Sequence, residues 1–311
     1  MAKPSAMKGT YVACIICGLV VVVLVMFYFV QPQPPIQHCT TNGAVIALSN
    51  QRPSGLLSRI ALRCRAPSNG EYGSIPAVCH QTWETSQVPP HAVHAVEQSK
   101  TNNPDVAFRL YDSKDRTAYI AQHMPEEVLR AYNRVNPKYG AARADFFRYV
   151  VMAVEGGIYL DIKSTLHPNI MRHVRPGTRC ILDTPRHVYE KYRVQTGYAT
   201  HEQWLLIAEP RHPYFVRAVY MLTRDLFGED VPNAMHMMSS NSTDSKQMVL
   251  RSTGPDFLAL AIHAAITLEG PAHSVVPRTQ LAQFHSSTPS GPALSNHYSL
   301  VDYVKYPLRN H

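Results

Sequence analysis

Read for its hydrophobic and polar positions, the chain falls into three textures. Residues 11–30, YVACIICGLVVVVLVMFYFV, carry no charge, proline or amide. At about 1.5 Å per residue a helix over this run is roughly 30 Å long, the thickness of a bilayer's hydrocarbon core. From Gln31 to about Ser74 the chain is rich in Pro, Ser, Asn and Gly, broken by a helix-like run at Leu56–Leu62. From Ile75 onward short strand-like runs alternate with longer helix-like ones, the texture of an α/β domain.

Within that third part the pattern predicts strands at Ile75–Thr82, Val106–Tyr111 (closed by Asp112), Ile158–Ile162, Cys180–Asp183, Trp204–Ala208 and His273–Val276. Helices are expected at Arg116–His123, Pro125–Arg134, Ala141–Val154, Tyr214–Leu226 and Thr253–Thr267. Such alternation implies a parallel or mixed sheet covered on both faces, with ligands at the carboxyl ends of its strands.

Charge then orients the chain. Lys3 and Lys8 precede the apolar run, and the next basic residue is Arg52. The positive-inside rule keeps the short N-terminus in the cytosol. The run is longer than the roughly 7–15 residues of a cleaved signal core and no small-residue cleavage site follows it, so an uncleaved signal anchor is expected. The expected division is a cytosolic tail (1–10), a transmembrane anchor (11–30), a stem (31–74) and one lumenal α/β domain (75–311), in a single-pass type II protein of the secretory pathway, Golgi above all. A sequon at Asn241-Ser242-Thr243 agrees with lumenal placement. So do four cysteines beyond the anchor, Cys39, Cys64, Cys79 and Cys180, enough for two disulfides in an oxidising compartment. The net charge of +8 first suggests nucleic acid, but the basic residues are scattered with no run of five, which disfavours that partner and suits an anionic small molecule.

The chemistry concentrates in Gly140–Ser164, GAARADFFRYVVMAVEGGIYLDIKS. On a helix Asp145 and Arg148 share a face, while Phe146, Phe147, Val150, Val151 and Val154 are apolar. Charges on such a helix need a partner or a ligand, and either an internal ion pair or a ligand site satisfies that need. Gly156-Gly157 ends the helix, and the following strand delivers Asp161 to its carboxyl end with Lys163 two residues on, on the same side of an extended chain.

Three blocks carry a resemblance: IPAVCHQTWET (Ile75–Thr85), NPDVAFRLYD (Asn103–Asp112) and ARADFFRYVVMAVEGGIYLDIK (Ala142–Lys163), with weaker similarity in HEQWLLIAEPRHPYF and TGPDFLALAI. The chain resembles the glycosyltransferases with a DXD sugar-binding motif, the family that contains the fungal initiating mannosyltransferases. The resemblance implies a GT-A fold, a Rossmann-like sheet that binds a GDP- or UDP-sugar. It implies hexose or N-acetylhexosamine transfer, with retention, to a glycan, glycoprotein or glycolipid. By position, Trp83 stacks on or borders the nucleotide base, Asp145 and Arg148 hold the donor sugar and phosphate, Tyr159 lines the pocket beneath the diphosphate, and Asp161 is the first carboxylate of the motif. Asp161 and Lys163 are the expected catalytic positions. Asp161, with His297 of the C-terminal Asn296-His-Tyr-Ser299 segment, is the candidate ligand for Mn²⁺ or Mg²⁺.

Where the family keeps a second aspartate this chain has Lys163. One carboxylate clamps a hard divalent ion poorly, and an ammonium beside it repels the ion. Either Lys163 contacts the diphosphate directly, or Asp161 holds a weakly bound Mn²⁺ through waters. The lysine also supports an alternative function, a non-catalytic, membrane-anchored module that binds a sugar nucleotide or glycan. His80 and Gln81 are expected to shape the turn after the first strand, and His201, Glu202 and Trp204 to begin an acceptor side.

Overall fold

The computed structural model describes residues 55–64, 74–183, 201–227, 249–250, 252–276 and 281–284, all within the compact unit Ala47–His311. The expected anchor, the sequon, Cys39 and His297 lie outside the described residues. Among the described residues no helix is long and apolar enough to cross a membrane.

Side-chain alternation along the strands sorts the residues into two layers. In β3 (Gly157–Leu160) and β6 (Leu205–Ala208), Tyr159, Leu206 and Ala208 enter one core, while Ile158, Leu160, Leu205 and Ile207 enter the other. In β5 (Cys180–Asp183) Cys180 and Leu182 face the first core and Ile181 the second. A period of two with both faces apolar marks strands covered on both sides. With β1 (Val78–Thr82), β2 (Ala107–Tyr111) and β7 (Ser274–Val276) they make a six-stranded sheet in the order β2-β1-β3-β6-β5-β7. β1 is parallel to β2 and to β3, while β6 runs antiparallel to both its neighbours, β3 and β5. The sheet is therefore mixed, and the reversal of β6 brings its start beside the end of β3, with Leu160 opposite Leu205. A small antiparallel pair joins β4 (Ser164–Leu166) to β8 (Ala282–Phe284).

The larger core lies under three helices, α5 (Gly140–Val154), α6 (Pro213–Met221) and α7 (Pro255–Glu269). From Asp145 to Val154 every residue of α5 is buried, as expected of a helix apolar nearly all round. The predicted helix at Tyr214–Leu226 is α-helical only to Met221. Leu222–Leu226 then widens into a π turn, closed by a 2.9 Å bond from Phe227 N–H to the Leu222 carbonyl. α1 (Gly55–Arg63), in the stretch read as stem, packs Ile60 fully buried into this core and pairs Arg59 with Glu127 at 2.5 Å. α2 (Val93–Asn102), absent from the pattern read above, covers the opposite face. α3 (Ser113–His123) begins at Asp112, which caps it in a reciprocal box with Asp115, and α4 (Glu126–Arg134) follows.

Cys64, Cys79 and Cys180 are free, buried thiols, which corrects the expectation of disulfides among them. Cys79 and Cys180 belong to different layers. Burial pushes the Cys64 thiol up to about 12.

The reversal from α5 into β3 needs both glycines. Gly156 has φ +64° and Gly157 φ +88°, and a Cβ on Gly156 would lie 2.4 Å from the Pro210 nitrogen. His80, fully buried, locks this corner. Since a carbonyl only accepts, Nε2–H donates to the Gly156 carbonyl at 3.1 Å, leaving Nδ1 to accept from the Tyr111 hydroxyl at 3.1 Å. Burial lowers the His80 pKa to about 4, so the ring is neutral near pH 7. Gly177, with φ +80° but open space around its Cβ position, is the control. Gly177→Ala should cost about 1 kcal/mol. Gly156→Ala, which adds a backbone clash to the same conformational penalty, should cost about 3 kcal/mol or more. Urea midpoints compare the two, and equal losses would refute the close-packing role.

Candidate functional site

The ends of β1 and β3 and the start of β6 meet at one end of the sheet, and each delivers site residues there. β1 ends at Thr82, and the following loop is held by Arg116 of α3, whose side chain is 1% exposed. Its guanidinium donates to Thr82 Oγ1 at 2.8 Å, to the Trp83 carbonyl at 3.1 Å and to Glu84 at 2.9 Å, and its Nε to the Tyr132 hydroxyl at 3.2 Å. Trp83 is half-buried, packs against the cluster of Ala92, Val96 and Ile162, and meets His91 edge-on at 5.8 Å. The same cluster holds Ile162, which lies between Asp161 and Lys163 in the chain. His80 and Gln81 are buried within β1 itself and not in the turn that follows it.

β3 stops at Leu160, two residues earlier than expected. Ser164 N–H donates to the Asp161 carbonyl at 2.9 Å, so Asp161-Ile162-Lys163-Ser164 is a tight turn. Asp161 and Lys163 accordingly share a turn, which replaces the expectation of two side chains on one side of an extended strand. The turn is tied to β6 by Asp161 N–H donating to the Trp204 carbonyl at 2.8 Å.

Arg148, in the middle of α5, gathers the remaining groups. Its side chain is 6% exposed, and its terminal nitrogens reach Asp145 Oδ1 at 3.0 Å, Asp161 Oδ1 at 3.2 Å and the Gln203 carbonyl at 2.8 Å. The guanidinium also lies 4.7 Å from the centre of the Tyr159 ring. Tyr159 is 1% exposed and hydrogen-bonds Asp161, so it supports the site from beneath. Asp145 is saturated with donors: besides Arg148, Gln203 Nε2 donates to Oδ1 at 3.0 Å and Thr253 Oγ1 to Oδ2 at 2.8 Å. The Tyr149 hydroxyl completes the network, 2.5 Å from Gln203 Oε1 and 2.6 Å from the Thr253 carbonyl. Burial raises the Asp145 pKa to about 6, against the opposing pull of Arg148 and Thr253.

The structure thus brings Asp145, Arg148, Tyr159 and Asp161 into one network, with Lys163 in the turn beside it and Trp83 at its border. His201 is buried with its ring 6.4 Å from His273, Glu202 is half-buried, and Trp204 packs in the second core. Sequence reasoning missed Tyr149, Gln203, Thr253 and Arg116. Tyr149 was findable, four residues after Asp145 and so on the same helical face. Gln203 and Thr253 lie 58 and 108 residues away from Asp145, inside the two weaker blocks of similarity, which mark their segments but not their contact with Asp145. An open depression of about 480 Å³ beside β2 and α3, lined by Arg109, Tyr111, Asp115, Tyr119 and Gln122, contains none of these residues.

A hard divalent cation asks for several uncommitted oxygen ligands. Here both oxygens of Asp145 accept from nitrogen or hydroxyl donors, Asp161 already faces the Arg148 guanidinium, and the turn's other charged residue is a cation. Among the described residues no group of three or more His, Cys, Asp or Glu is placed to hold a metal. The described donor set does not fit a divalent ion.

Asp145 gives a signed pH prediction. Its folded pKa lies above the ordinary carboxylate value, so protonation favours the folded state. As pH falls from 7 to 5, the unfolding free energy of the wild type should rise relative to that of Asp145→Asn, read by urea titration at the two pH values. A constant difference would mean that Asp145 does not titrate in this window.

Residues 89–179 match the family model described as "Glycosyltransferase sugar-binding region containing DXD motif". Inositol phosphoceramide mannosyltransferase 3 of Schizosaccharomyces pombe is 26% identical over 192 residues, which is 62% of this chain and 46% of that protein. A mannosyl phosphorylinositol ceramide synthase of Saccharomyces cerevisiae is 27% identical over 150 residues, 48% of this chain and 35% of that protein. The chain thus spans less than half the length of these relatives. The solved structure of PaToxG glycosyltransferase aligns with a TM-score of 0.45 at 16% identity, covering 72% of this chain and 78% of that one. Over residues 89–179 the chain is therefore similar to a glycosyltransferase sugar-binding region of the DXD type, and that stretch takes in Asp161-Ile162-Lys163.

Proposed function

We propose that the chain is a retaining glycosyltransferase of GT-A type that moves a hexose from a nucleotide sugar to a glycan or glycolipid acceptor. Its lumenal domain would act in the secretory pathway behind a signal anchor. The observation that supports this reading best is the position of Asp161: at the carboxyl end of β3, inside the matched region, held by the buried Arg148. The relatives' names put mannose first among donors and inositol phosphoceramide first among acceptors to test.

The reaction asks the site to bind a sugar diphosphate and to tolerate the charge that gathers on it. The acceptor hydroxyl oxygen forms a bond to the sugar's anomeric carbon as the bond from that carbon to the β-phosphate oxygen breaks. The electron pair passes to the phosphate oxygen, which also takes the acceptor's proton. Arg148, held rigidly on three sides, keeps Asp161 oriented toward the sugar and adds positive potential beside the diphosphate. Trp83 borders the base. Asp145, Gln203 and Thr253 act through Arg148, since they are buried behind it.

Lys163, where the DXD motif has a carboxylate, favours a second reading, a sugar-nucleotide-binding module that does not turn over. A thermal-shift screen of nucleotide sugars on the full chain, followed by a product assay, separates the two. A donor present at about 100 times its Kd should add roughly 2.7 kcal/mol of stability. Asp161→Ala should remove that shift and cut transfer about 100-fold or more. A shift retained in the variant would overturn the site assignment, and binding with no transfer or donor hydrolysis would establish the module.

A further inference from the structure

We infer that Lys163 itself supplies the positive charge that a divalent cation would bring to a DXD site, so that the nucleoside diphosphate binds without metal. This rests on the donor-site reading proposed above.

Asp145 and Asp161 carry two negative charges in the network, and Arg148 and Lys163 two positive ones. With aspartate at position 163, as the motif's name describes, the same four positions would hold three negative charges and one positive. That leaves a deficit of two, the charge of one divalent ion. Changing that aspartate to lysine shifts the site by the same two units. The exchange therefore returns the site to neutrality with protein groups alone, and an anionic donor meets no net repulsion.

Asp161 and Lys163 sit in one turn fastened at both ends, by Ser164 N–H to the Asp161 carbonyl and by Asp161 N–H to the Trp204 carbonyl, each within 2.9 Å. The backbone therefore fixes Lys163 at the position of the motif's second carboxylate. A half-buried lysine carries its charge on a flexible stem with three donors, and an ammonium serves as a phosphate-binding point charge. The Asp161 carboxylate, meanwhile, already has its cation in Arg148 at 3.2 Å. When the bond to the anomeric carbon breaks, the electron pair arrives on a diphosphate oxygen, and the Lys163 ammonium offsets the charge gathered there.

Calorimetry of GDP and UDP with the full chain in detergent tests this, in chelator and in millimolar Mn²⁺. The wild type should bind one of them with the same affinity in both, within about threefold. In chelator Lys163→Ala should lose about 10- to 100-fold, Lys163→Arg should keep most of the affinity, and Lys163→Asp should bind only when Mn²⁺ is added. Wild-type binding that requires Mn²⁺ overturns the inference and leaves the donor-site reading standing. Undiminished binding by Lys163→Ala in chelator does the same. No binding of either nucleotide under any condition overturns both. The wild-type comparison needs no variant to fold, and matching thermal transitions qualify the variants that do.

Discussion

A guanidinium buried in the middle of an apolar helix has to be compensated on every side, and Arg148 shows how much structure that demand organises. Removing such a charge from water is costly unless its donors are satisfied. Asp145 meets it from the preceding helical turn, Asp161 from the end of β3, and the Gln203 carbonyl from the approach to β6. Each of these is held in turn: Asp145 by Thr253 and Gln203, Asp161 by the Trp204 carbonyl, Gln203 by Tyr149. Four segments, two of them more than 50 residues from α5, are thereby drawn to one point. The stability of the core and the orientation of the motif aspartate rest on the same contacts.

The sheet makes this convergence available. Were β6 parallel to β3, its start would lie at the opposite end of the sheet from Asp161. Running antiparallel, it places Leu205 opposite Leu160, so the residues just before β6 fall beside the residues just after β3. Arg116 does a similar task for β1 by gripping the chain at Thr82, Trp83 and Glu84. This end of the sheet is built from chain that has just left, or is about to enter, regular structure, and buried arginines keep that chain from wandering.

Much of this was legible in the sequence, and the reasons are specific. Alternation in IYL and LLIA, and the Gly156-Gly157 pair after a long apolar helix, are local signals, and the strands and the reversal follow them. Asp145 and Arg148 are three residues apart, so their pairing was readable from helical geometry. The end of β3 was not, because IYLDI has strand character throughout, and only the Ser164 to Asp161 bond turns its last two residues out of the sheet. Gln203 and Thr253 were hidden for a different reason: their roles are defined by what packs against them across the fold. The helix at Leu56–Leu62 was legible within the stem-like stretch, but the packing of its Ile60 into the core was not, since one buried face on a short amphipathic run has no signature separating it from a solvated one.

The three thiols described above have a consequence for watching this protein move. Cys64 follows α1, Cys79 lies within β1 and Cys180 begins β5, and none is more than 5% exposed. A thiol so buried, with its proton held tightly, reacts with an alkylating reagent only when the surrounding structure opens. These three thiols are native clocks in three places, just after α1, in the strand that leads to Trp83 and on the far side of β6. Their relative labelling rates would rank how often each part of the fold comes undone.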